Sequence, residues 1–114
     1  MKPQSAKQKG RLLQQDVAKR ILNLHPSLTE NDVKSTGMGQ GGMDVQLSEA
    51  ARELFPYAVE CKSRKSMAIY NDFDQSVGNS DDLTPIIVVK ANRKPPLVAM
   101  HIDEFFHLLE KYDD

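Results

Sequence analysis

Leu13, Val17, Ile21 and Leu24 recur at helical spacing and form one apolar stripe near the start of the chain. The spacing predicts a helix from about Ala6 to Leu24, with the Arg20 stem packed inside the stripe and its head in water. His25-Pro26 ends it, because the residue before a proline resists the helical region. Val33 marks a short strand within 31–36, and Gly37, Gly39, Gly41 and Gly42 then crowd into a turn open to close backbone approach. Alternating apolar and polar residues predict a strand over Met43–Leu47. Ser48 can cap a short helix that runs to Leu54 and stops before Pro56.

The second half is read in the same way. Tyr57 to Lys62 is a strand with Tyr57, Val59 and Cys61 on one face and Ala58, Glu60 and Lys62 on the other. Ser66 to Val77 is a helix turning Ile69, Phe73 and Val77 to the core. Pro85 to Lys90 is almost continuously apolar, as expected of a central strand buried on both faces. A turn over 92–96 leads to a last strand, Leu97 to His101. A final helix, Ile102 to Lys111, carries Phe105, Phe106, Leu108 and Leu109, with Phe105 and Phe106 read as core or dimer contacts rather than base-stacking platforms. The order αββαβαββα shows no repeat and predicts an α/β (α+β mixed) fold, a mixed sheet covered by helices.

At 114 residues the chain allows one domain, taken as 1–114, and its average composition excludes disordered, collagenous and coiled-coil classes. A single cysteine, Cys61, rules out an intramolecular disulfide and a Cys-rich zinc site; a cytoplasmic location is expected. No apolar run reaches the roughly 18–20 residues of a membrane span, and 1–10 is too polar for a signal peptide. The net charge of −1 conceals an asymmetry, a basic head facing an acidic tail. Such a distribution points to an anion-binding surface at one end, or simply to a solvated basic helix.

Glu60-Cys61-Lys62 carries the clearest candidate chemistry. Strand alternation puts Glu60 and Lys62 on one face, about 6–7 Å apart. If Asp44 projects to the same side from a neighbouring strand, two carboxylates and the Cys61 carbonyl offer hard oxygen ligands suited to Mg²⁺. Lys62 beside them can orient a water and stabilise charge on a phosphate. The competing reading is an edge strand whose alternating charges face water.

Asp44 followed fifteen residues later by Glu60-Cys61-Lys62 resembles the PD-(D/E)xK nuclease superfamily. It is most similar to small phage endonucleases related to Holliday junction resolvases. The similarity runs from Lys9-Gly10 to Lys90 and implies a restriction-endonuclease-like αβββαβ core with an appended strand and helix. It implies Asp44 and Glu60 as ligands of Mg²⁺ (or Mn²⁺), joined by the Cys61 carbonyl, and Lys62 as the catalytic lysine. Met43 stands where the family name has proline. A first-helix glutamate expected after the Lys-Gly pair is replaced by glutamine, with Gln14 better placed than Gln15.

Gln75 matches a glutamine frequent in the following helix, although it lies well off the Ile69–Phe73–Val77 stripe. Lys9, Arg11, Arg64, Lys65 and Lys90 are candidates for DNA-backbone contacts, and His25, His101 and His107 are too scattered for a zinc site. The expected function is Mg²⁺-dependent cleavage of DNA, branched or distorted, by a homodimer with no membrane or small-molecule cofactor. A DNA-binding module that keeps the fold without catalysis, or a structure-specific RNase, fits the same residues.

Overall fold

The computed structural model describes residues 5–36 and 42–112. Ser5 accepts the Gln8 N–H at 3.1 Å and starts α1 (Ala6–Leu24), satisfying one of the donors a helix leaves free at its start. The helix stops at His25, before Pro26, where the sequence predicts. Leu13, Val17 and Ile21 are buried, but Leu24, in the last turn, is exposed at the edge of a groove that it shares with the later strands. The expected stripe is therefore one residue shorter.

β1 (Val33–Ser35) and β2 (Val45–Leu47) pair antiparallel, with Val33 opposite Leu47 and Ser35 opposite Val45. Most of the glycine turn between them lies outside the described residues; Gly42, at φ +89°, adopts a conformation that favours glycine. Asp32 and Ser48 bind this pair to α2 (Glu49–Leu54). The Ser48 hydroxyl donates to Asp32 Oδ1 at 2.8 Å and accepts the Ala51 N–H at 3.1 Å, capping the helix as predicted.

β3 (Tyr57–Ser63), β4 (Thr84–Lys90) and β5 (Leu97–Ala99) form a mixed three-stranded sheet. β3 and β4 run parallel and β4 and β5 antiparallel, so β4 is central, with Ile86 to Val89 buried on both faces. α3 (Ile69–Gly78) makes the crossover from β3 to β4, and α4 (Ile102–Tyr112) follows β5. Asp44 joins the two sheets: its N–H donates to Val59 O at 3.1 Å, and its carbonyl accepts from Thr36 N at 2.8 Å. The architecture is α+β, with four helices among the described residues, none of them long and apolar enough to cross a membrane.

The pleat divides the core between two faces. Leu13, Val17 and Ile21 of α1 cover Val59, Cys61, Ile86 and Val88 on one face. Phe73 of α3 covers Ile87 and Val89 on the other. α3 departs from its expected register: Ile69 and Val77 are exposed, whereas Asp72, Phe73 and Ser76 are buried. The buried face is rotated by roughly 50° from the hydrophobic stripe. Asp72 can occupy it because Arg64 Nη1 reaches its Oδ1 at 3.0 Å. Phe105 and Phe106 do not join the core; with Ile102 and Leu109 they form an exposed stripe on α4.

Candidate metal and phosphate site beside strand β3

A strand residue directs its N–H and C=O to the same edge. Thr84 N donates to Pro56 O and Arg64 N to Lys90 O, so even-numbered positions of β3 face β4. The odd ones face β2. There, Cys61 N–H donates to Asp44 Oδ2 at 2.7 Å, two residues along from the Val59–Asp44 backbone bond. The Cys61 carbonyl lies on that same edge, beside the Asp44 carboxylate. Its thiol is buried on the α1 face, and burial with Asp44, Glu60 and Asp16 nearby pushes its ionisation far up. Cys61 can therefore offer its carbonyl as a ligand while its thiol stays protonated.

Glu60 and Lys62 share the opposite face, Glu60 largely buried, with Lys62 Nζ 3.7 Å from Glu60 Oε1. The same ammonium donates to Gln75 Oε1 at 3.3 Å. The rotated register of α3 swings Gln75 toward the sheet, which the stripe inferred from sequence would not have done. Burial raises the pKa of Asp44 above the usual carboxylate value, against the Cys61 N–H and the Lys62 charge. Burial and the Asp44 charge raise that of Glu60, against Lys62 and the Asn79 side chain. Two acids whose ionisation is resisted, with the Lys62 charge near both, form an arrangement that could hold a divalent cation.

The donor set is compatible with Mg²⁺, which binds through one or two carboxylates and retains several waters. No group of three or more His, Cys, Asp or Glu side chains that could hold a metal assembles among the described residues. The groups here that could hold an ion are the Asp44 and Glu60 carboxylates and the Cys61 carbonyl. Gln14 is buried, and its Oε1 has no hydrogen-bond partner among the described residues. Asp16 and Val17 line a groove with Ile86, Val88 and Leu97, toward β4 and β5. Gln14 lies about 200° from Asp16 around the helix, hence toward β1 and β2.

The basic candidates fall into separate places. Arg11 and Lys65 are exposed, and Arg64 is held by Asp72. Lys9 and Lys90, remote in sequence, line one cleft with Asn92 and Arg93. Sequence reasoning missed Asn79, Asn92 and Arg93, which it placed in turns. Polar residues in turns are too common to stand out without the fold. The chain matches no protein-family model, no curated protein and no solved structure.

Proposed function

We propose that the chain is a metal-dependent endonuclease acting on DNA, built on a restriction-endonuclease-like αβββαβ core, α1 through β4, to which β5 and α4 are appended. The observation that carries this reading is the bond from Cys61 N–H to Asp44 Oδ2, beside a Glu60–Lys62 pair on the same strand. Asp44, Glu60 and the Cys61 carbonyl would hold Mg²⁺ or Mn²⁺, leaving places for water and a phosphate oxygen. Mg²⁺, when bound, supplies Lewis acidity toward a phosphate oxygen and lowers the pKa of a bound water.

The remaining steps belong to the chain itself. Lys62, steadied by Gln75, holds its ammonium where it can position the attacking water and offset charge building on the scissile phosphate. Gln14 directs a neutral oxygen rather than a carboxylate toward the β1–β2 side, so the protein contributes a ligand charge of only about −2. Lys9, Arg11, Lys65 and Lys90 contact the backbone without reading sequence.

A homodimer would allow paired cuts in branched DNA, and α4 is its contact surface. Its exposed Ile102, Phe105, Phe106 and Leu109 follow the i, i+3, i+4, i+7 spacing of a docking helix. The second copy offers the apolar groove between Ile21, Leu24, Leu97 and Val98, where Arg20 complements Asp103 and Glu104 on α4.

The test is incubation with Mg²⁺ or Mn²⁺ and linear, single-stranded, flapped and four-way DNA, followed by mapping of the cuts. Asp44→Asn, Glu60→Gln and Lys62→Ala each abolish cleavage while circular dichroism remains native. Turnover by folded Glu60→Gln protein refutes the site. DNA binding without cleavage under every metal condition establishes instead a binding module, the reading that the missing carboxylate at Gln14 favours.

A further inference from the structure

On the α1 face, beyond the carboxyl ends of β3 and β4, lies a cleft of about 540 Å³ whose lining includes Lys9, Asp16, Ser63, Lys90, Asn92 and Arg93. The carboxyl ends of parallel strands are where open α/β sheets receive ligands. Lys9 Nζ donates to Asn92 Oδ1 at 2.9 Å, which ties the first helix to the β4–β5 turn. Lys90 Nζ reaches the Ala91 carbonyl at 3.4 Å, so its ammonium is held at the rim. Asp16 is the cleft's carboxylate, and Arg20 Nε binds its Oδ1 at 3.2 Å. Among the described residues, three cations, Lys9, Lys90 and Arg93, therefore line a volume whose one acid already has a partner.

Arg93 supplies the second observation. Lys94 N–H donates to Ala91 O at 3.2 Å, closing a turn in which Arg93 has φ +62°. Glycine or asparagine normally fills a left-handed turn position, because a larger side chain is strained there. Strain retained at a cleft wall points to a use for the side chain.

We infer that this cleft binds a backbone phosphodiester of the DNA, on the sheet face opposite Glu60 and Lys62. The inference rests on the nuclease reading and extends it. Ser63 ends β3 immediately after Lys62, and the two side chains point to opposite faces. A strand of DNA crossing the end of the sheet meets the carboxylate site on one side and the cleft on the other. The cleft thus fixes the register of the backbone relative to the cleaved bond, one or more phosphates away.

Two variants test it: Arg93→Gly, which relieves the left-handed strain, and Lys90→Gln, which keeps most of the stem and loses the charge. Both are made in the Glu60→Gln background and titrated by anisotropy with duplex DNA, with and without a 5′-phosphate, across salt concentrations in EDTA. The expected result is that the pair together lowers the slope of log affinity against log salt by about 2, equally on both DNAs. Arg93→Gly should melt no lower than its parent. An unchanged slope in the folded double variant overturns the inference, as does binding that requires the 5′-phosphate, which would assign the cleft to strand ends. A reduced slope together with native protein that never cleaves upholds the cleft and removes the nuclease reading alone.

Discussion

Arg64 is the residue for which sequence and structure make opposite claims, and replacing it with alanine separates them. As a DNA contact it would be dispensable for folding. The structure instead sets its Nη1 3.0 Å from Asp72 Oδ1, with the Asp72 side chain 5% exposed and that of Arg64 46% exposed. Removing one partner of a fully buried ion pair costs about 3–5 kcal/mol, because the remaining charge is left without compensation. Here water reaches the arginine and screens the pair, which lowers the cost to about 2 kcal/mol. Asp72 Oδ2 has no partner among the described residues, so none of these supplies a second donor to relieve the loss.

For a chain of this size, about 2 kcal/mol corresponds to a melting point lower by roughly 8 °C. Urea unfolding of Arg64→Ala, Asp72→Ala and the double variant measures the pair, and the double variant should cost clearly less than the sum of the singles. Salt-dependent DNA binding by folded Arg64→Ala protein should keep its slope. A destabilisation below about 0.5 kcal/mol, with additive singles and a reduced salt slope, would refute the reasoning and return Arg64 to the DNA surface.

Gln14→Leu should stabilise the metal-free protein by about 1 kcal/mol in urea unfolding, since it removes a buried acceptor with no partner among the described residues; a loss of similar size would show that the amide is satisfied. Gln14→Glu should tighten Mg²⁺ binding in calorimetry, and an isotherm identical to the wild type would place the residue outside the site. Phe105→Asp with Phe106→Asp should convert a dimer to a monomer in sedimentation while changing monomer stability by less than about 0.5 kcal/mol per site; unfolding would mean that the stripe belongs to the core. The Thr29 N–H and the Ser48 hydroxyl hold the Asp32 carboxyl below its ordinary value of 3.8. Its stabilising effect is therefore complete above that value and lost as pH falls through the depressed folded value. The stability gap between wild type and Asp32→Asn should stay constant from pH 7 to about pH 5 and shrink below pH 4.

The parts of the fold legible in the sequence are those set by local rules. Ser48 as a cap, Pro26 as a stop, and the apolar run through Ile86 and Val89 each need only neighbours along the chain, and each element forms where predicted. The register of α3 was not legible, because apolar spacing favoured Ile69 and Val77 while a tertiary partner, Arg64, drew Asp72 inward. Gln75 depended on the same rotation: the Ile69–Phe73–Val77 stripe left it on the solvent side, and the observed register brings it to Lys62. α4 forms where the sequence predicts the final helix, but sequence alone leaves open whether its phenylalanines meet their own chain or another. The pairing of Asp44 with the β3 edge was anticipated only as a condition, since strand adjacency is a long-range property.

The costs in this fold gather around one strand. Asp44 and Glu60 resist ionisation, and among the described residues the buried oxygens Gln14 Oε1 and Asp72 Oδ2 have no partner. Asp44 and Glu60 lie on or bonded to β3, Gln14 on the helix packed over it, and Asp72 is held by the residue that follows it. Elsewhere the local rules agree with one another: Ser5 and Ser48 cap their helices, the central strand is apolar on both faces, and Asp32 ties a strand pair to a helix. A sequence selected for stability alone would place leucine at Gln14 and an apolar residue at Glu60. Concentration of polar burial at the one place where a carboxylate, a second carboxylate, a carbonyl and a lysine meet is what a cation and a phosphate would offset. The purely structural alternative, alternating charges guarding a solvent-facing edge, requires Glu60 to be exposed, and it is 8% exposed.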